Sequence, residues 1–201
     1  MLPLEERRHG AAPAIVALLL VQICLGYEWF VSGLTKIVHG DFPAGLSGEL
    51  ADLGKQSPSW YRGLLTNAIE PHAQVVGYGI EIGELLLGVT LLAAAIVWLA
   101  RGARLSDRAR LTIQFVVGGA SILALLLLVN FELVNGGGFG MRLAADSFDE
   151  GVDLDTLMIG LHLAVLAFAV TALPARATSA DGRSRSPRPR PAPRRSSAPA
   201  A

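Results

Sequence analysis

The chain is short of charge, cysteine and histidine. Only 17% of its 201 residues are charged and 52% are apolar, against about 25% charged in a typical soluble domain. Its mean hydropathy of +0.47 reflects long apolar runs diluted by charged loops and ends. The single cysteine, Cys24, excludes an intramolecular disulfide and any CxxC, zinc or iron–sulfur spacing. A haem held in a helical bundle needs strong axial ligands, usually paired histidines. Of the four histidines, His162 alone lies well inside an apolar run, while His39 and His72 fall at or beyond the edges of theirs. No metal or haem is therefore expected. The net charge of zero averages unlike regions. Residues 176–201 carry seven Arg and one Asp, and residues 146–155 carry five acids and no base.

Four runs are long enough to cross a bilayer core of about 30 Å, which takes about 20 apolar residues as a helix. They cover about residues 13–36, 73–100, 111–130 and 156–174. The first is not a signal peptide: it continues through Trp29 and Phe30 with no small-residue cleavage site at its end. The expected fold class is all-α, an integral membrane four-helix bundle over residues 13–175. It is preceded by a tail over residues 1–12. The Arg/Pro-rich tail over 176–201 is expected to be disordered. It can bind anionic lipid, but with no interleaved aromatics it does not suggest nucleic acid.

Lysine and arginine counts set the orientation. Four spans put both tails and the second loop on one side, with thirteen basic residues against four on the other. Without the long tail the count is six against four, so both termini are expected to be cytoplasmic.

The first loop, residues 37–72, shows helical spacing at Leu46, Leu50 and Leu53. Ser57-Pro58 reads as a helix start, with Ser as N-cap and Pro at the first position. Trp60, Leu64 and Leu65 would then share a face. Two short amphipathic helices on the outer membrane surface fit this pattern; whether they form a lid or a plain anchor is open. The third loop, residues 131–155, holds Gly136-Gly137-Gly138 and Gly140, then the acidic stretch. It matches no calcium-loop spacing and reads as a solvated acidic loop ending in Asp155 as cap of the last helix.

Ionisable residues inside a membrane cost roughly 2.5–3.5 kcal/mol each on insertion scales and mark candidate sites. Glu28 lies on the first span, on one face with Cys24, Ser32 and Thr35, and Lys36 sits at the helix end, able to snorkel. Glu81 and Glu84 lie on the second span, sharing a face with Gly77 and Gly88. A second pair, Gly79 and Gly83, has GxxxG spacing. His162 lies on the fourth span. In the inferred orientation all four ionisable groups fall in the outer half of the bilayer, with Asn130 and Glu132 above them. Three carboxylates in a low-dielectric pocket cannot all ionise cheaply, so at least one is expected to be protonated at neutral pH, with Lys36 or His162 neutralising another. Such a cluster can pass protons or hold a polar head group. A structural hydrogen-bond network without a ligand is the alternative.

The first span ends Gly-Tyr-Glu-Trp-Phe-Val-Ser-Gly-Leu-Thr-Lys-Ile over residues 26–37, followed by Gly40-Asp41-Phe42. The second opens Gly77-Tyr78-Gly79-Ile80-Glu81-Ile82-Gly83-Glu84-Leu85-Leu86-Leu87-Gly88, and Ser57-Pro58-Ser59-Trp60-Tyr61-Arg62 lies between. Together they resemble the DoxX superfamily and, within it, the DoxD-like large subunit of thiosulfate:quinone oxidoreductase. The resemblance covers about residues 14–172 and is strongest over 26–90. It implies the membrane subunit of a quinone-linked oxidoreductase, with thiosulfate oxidised to tetrathionate and quinone as co-substrate. Glu28, Lys36, Glu81 and Glu84 match the family's polar motif positions. Glu28, Glu81 and Glu84 are the expected proton-handling residues, and Lys36, Arg62, Trp60 and His162 the expected substrate-binding ones. A second redox subunit is implied, and homo-oligomerisation is left open. A non-catalytic anchor for a redox partner and a small lipid- or solute-binding protein are the rival readings. An Arg/Ala/Pro-rich tail suits the plasma membrane protein of a high-GC bacterium.

Overall fold

A computed structural model describes residues 4–136 and 154–171, with the side chains of residues 4–13 and Ala103 left aside. The glycine run after Gly136, the acidic stretch before Leu154 and the Arg/Pro tail lie outside the described residues. Six α-helices follow in order: α1 (Leu4–His39), α2 (Phe42–Leu53), α3 (Ser59–Leu64), α4 (Ala73–Arg101), α5 (Asp107–Val134) and α6 (Leu154–Thr171). A π-helical turn over Leu65–Ile69 and a 3₁₀ turn over Glu70–His72 join α3 to α4. Four segments are long and apolar enough to cross a membrane: Ala14–His39, Ser59–Arg101, Asp107–Val134 and Leu154–Thr171. The chain is an all-α, multi-pass membrane bundle.

The bundle is built from two intimate pairs, α1 with α4 and α5 with α6; α4 and α5 touch less closely. In a bilayer, lipid tails are as apolar as leucine, so helices associate through close packing and small residues. Gly33 sits so near α4 that a Cβ there would lie 2.5 Å from the Leu85 amide nitrogen, and a Cβ on Gly88 would run into the Phe30 backbone. Gly26 faces Leu92. These contacts pair α1 and α4 antiparallel in one continuous register. By contrast, Gly79 and Gly83 have nothing within 4 Å of an added Cβ, so among the described residues the GxxxG pair plays no part in packing.

The α1–α4 register has a consequence for depth. Residues 81–85 of α4 lie level with the last turns of α1, and the first two turns of α4 rise beyond them. That extension is covered by α2, where a Cβ on Gly77 would fall 2.6 Å from Pro43 Cα. A left-handed Gly40, φ 74°, turns the chain from α1 into α2. The two short helices of the first loop thus form a cover on one end of the bundle, here called the lid end.

Local capping departs from the sequence pattern in two places. Ser57 does not cap α3. Pro58 occupies that position, while the buried Ser57 donates its hydroxyl to the Val134 carbonyl at 2.9 Å and ties the loop to α5. Asp155 lies inside the first turn of α6 and does not cap it, where a carboxylate still complements the helix dipole. Trp60, Leu64 and Leu65 do not share one buried face: Leu65 and Tyr61 turn inward, and Trp60 and Leu64 are exposed.

Gly88→Leu is expected to destabilise the bundle by about 1–3 kcal/mol or more through overpacking. Gly83→Leu, with open space at its Cβ, should leave stability unchanged. Thermal unfolding of the two detergent-purified variants checks the contrast. Equal melting temperatures would refute the packing role given to Gly88.

Candidate functional site

Three side chains on two helices converge at the lid end. Lys36 and Ser32 stand one turn apart on α1, and the register puts both opposite Glu84 on α4. The Lys36 ammonium donates to Glu84 Oε2 at 2.5 Å and to Ser32 Oγ at 2.8 Å. Ser32 Oγ donates to the same Glu84 oxygen at 2.9 Å. Glu84 is 1% exposed and Lys36 22%, so the pair lies at the rim of the interior. Lys36 does not snorkel away from the helix end but folds back onto the carboxylate. Its Nζ also stands 5.2 Å from the centre of the Phe42 ring, a cation–π distance. The first residue of the lid helix thus rests on the cation of the site.

A second polar contact lies deeper. Trp29 Nε1 donates to His162 Nε2 at 2.9 Å, and His162 is fully buried. Because Nε2 accepts, its proton resides on Nδ1, which has no partner. A doubly protonated ring would aim N–H against N–H. His162 is therefore a neutral acceptor that fixes the Trp29 indole, and Lys36 alone of the two supplies a cation to Glu84.

Two cavities meet at Lys36. A polar one of about 220 Å³ is lined by Glu28, Trp29, Ser32, Lys36 and Glu84, with Asp155 and Met158 from α6. An apolar chamber of about 340 Å³ lies beneath the lid, walled by Leu46, Leu50 and Leu53 of α2, by Val76 and Ile80 of α4, and by Leu127 and Phe131 of α5. Lys36, Phe131 and Asp155 line both. Tyr61 closes part of the chamber wall, buried and donating to Asn130 Oδ1 at 2.7 Å.

The residues singled out in the sequence separate into groups. Glu28, Lys36 and Glu84 come together on the polar cavity, with Glu28 exposed at its edge. Glu81 is 6% exposed, lines neither cavity, and has an unpartnered Oε2. The three carboxylates do not share one pocket. Cys24 and Thr35 are exposed and lie off the site. Trp60 is 67% exposed and touches neither cavity; its ring packs edge-on against Tyr61. Arg62 Nε and Nη2 donate to the carbonyls of Gly54, Lys55 and Ser57, so the guanidinium fastens the lid loop and lines neither cavity. Glu132, expected at the surface, is buried and accepts from Thr156 Oγ1 at 2.6 Å, joining α5 to α6. Residue patterns gave no sign of Tyr61 or of the Thr156–Glu132 link, because each depends on a partner far away in the chain. Gln22, whose amide donates to the Leu91 carbonyl at 2.9 Å, was equally silent.

No family model, curated protein or solved structure matches the chain.

Removing one member of a buried ion pair costs about 3–5 kcal/mol, against about 0–1 for an exposed pair. Glu84→Gln is expected to fall between these limits, because it leaves Lys36 without its counter-charge. Glu81→Gln, which removes no pair, should be nearly neutral. Trp29→Phe leaves both His162 nitrogens unpartnered and should cost about 1–3 kcal/mol. Chemical or thermal denaturation of the three variants ranks them; a Glu81→Gln loss as large as that of Glu84→Gln would contradict the assignment of the pair.

Proposed function

We propose that the chain is a DoxX-like membrane subunit of a quinone-linked oxidoreductase, in which a quinone ring lodges at the junction of the two cavities. The observation that carries this reading is the apolar chamber of about 340 Å³ that reaches Lys36, whose ammonium is paired with Glu84 on the adjoining polar cavity. A flat, lipid-soluble ring with carbonyl oxygens needs apolar walls, a cationic donor at one edge and a nearby acid for proton exchange. Lys36 is the donor, Glu84 the acid that holds it in place, and Glu28 the group at the cavity edge through which protons pass. Trp29, Phe131 and Met158 line the polar cavity and supply aromatic and thioether surface that suits an aromatic guest.

Thiosulfate is the nominal electron donor by resemblance. Its binding belongs on the implied second subunit, because the only lysine at the polar cavity is paired and Glu28, Glu84 and Asp155 line the same space. A dianion is repelled by such a wall. The membrane is the bacterial plasma membrane and the termini are cytoplasmic, on the strength of the Lys/Arg asymmetry; the site then lies in the outer half. The apolarity of the chamber also favours a second reading, a carrier or binder of a small lipid without redox chemistry.

Membranes containing the chain and its partner subunit should reduce added quinone with thiosulfate, and Glu84→Gln or Lys36→Met should lower the rate at least about tenfold, the equivalent of about 1.4 kcal/mol in the barrier. Normal turnover after joint replacement of Glu28, Glu81 and Glu84 by glutamine would assign the chain to anchoring. Quinone binding without turnover would favour the carrier.

A further inference from the structure

The seam between α4 and α5 runs on past the chamber. Val76 and Ile80 on α4, with Phe131 and Leu127 on α5, line the chamber. One turn further from the lid, the same two helix faces present Gly83 and Leu123, then Thr90 and Val116, around an open groove of about 300 Å³. The α4 positions follow one another at intervals of four, three and seven residues and those of α5 at four, four and seven, so each set is a single stripe. From Val76 to Thr90 the stripe extends about 21 Å at 1.5 Å per residue.

Two features keep the groove open. The α4–α5 contact is looser than the α1–α4 and α5–α6 contacts. Gly83 and Gly119, both on its walls, have nothing within 4 Å of an added Cβ. Neither glycine serves helix packing among the described residues, and together they leave a lipid-facing trough where larger side chains would fill the space. The remaining walls are apolar apart from Thr90.

We infer that the α4–α5 seam is a subsite for the hydrocarbon tail of a prenylated quinone whose ring occupies the chamber. This rests on the quinone reading of the chamber. The trough begins where the chamber ends, lies on the same two stripes, and faces lipid, from which such a molecule arrives laterally. The seam selects for tail length, since a single isoprene unit stays within the chamber while a longer chain runs along the trough.

The test uses the full chain purified in detergent and two benzoquinones with the same ring, one with a single isoprene unit and one with several. Dissociation constants are measured for the wild type, Gly83→Leu and Gly119→Leu. Micelle partitioning is common to all three proteins and cancels in the comparison. The expected result is about tenfold weaker binding of the long-tailed homologue to each variant, with the short-tailed homologue unchanged. Equal effects on both homologues, or no effect on either, overturn the tail subsite while leaving the ring site standing. A change in oligomeric state on substitution, without tail discrimination, overturns it in favour of a second copy on the seam. A wild type that binds neither homologue overturns the ring reading and the subsite with it.

Discussion

Backbone contact between α1 and α4 governs what the rest of the molecule can do. Gly33 and Gly88 let the two helices meet with no side chain between them. At that separation, side chains flanking the contact reach each other directly. Ser32 and Lys36 meet Glu84, and Trp29 on the neighbouring face reaches α6. Wider spacing would leave a carboxylate inside a membrane with no cation in reach, and the cost of that is large enough to bar insertion in an ionised form. The glycines and the charges are thus one design: a close approach makes the ion pair geometrically accessible, and the pair gives the approach its polar reward.

The lid depends on the same register. Because α4 outruns α1, a length of apolar helix is left uncovered beyond the Lys36 level, and α2 packs onto it through Pro43 and Gly77. The void below is bounded by residues from all six helices. A membrane bundle of this size with a chamber under a packed cover has set aside interior volume that tighter packing would otherwise fill.

Much of this was legible from residue order. Hydrophobic length located the four spanning helices to within a few residues, because no other structure satisfies backbone groups in lipid. The Gly77, Glu81, Glu84 and Gly88 spacing placed one α4 face against its neighbour, and that face does meet α1 and α2. The limits were just as physical. Counting residues from span ends assumes that helices start level, and α4 does not start level with α1, so residue order could not show that Glu84 stands opposite Ser32 and Lys36 while Glu81 lines neither cavity. Charge type alone made Arg62 look like an anion receptor; only the fold shows its donors used on loop carbonyls. Trp60 and Leu64, one turn apart on α3, are both exposed while Leu65 is buried, because the π-helical turn that opens at Leu65 breaks the 3.6-residue period on which grouping the three relied. His162 was visible as an intramembrane histidine, but its acceptor role required Trp29, 133 residues away.

Phe42 stands over the Lys36 ammonium and is also the first residue of α2. One ring therefore belongs to two structures at once, the electrostatic environment of the site and the mechanical seat of its cover. Any guest that draws the ammonium toward itself withdraws the cation from beneath that ring, and the cover loses a point of adhesion at its hinge, beside Gly40. The position of the ammonium and the seating of α2 are thus tied through one ring.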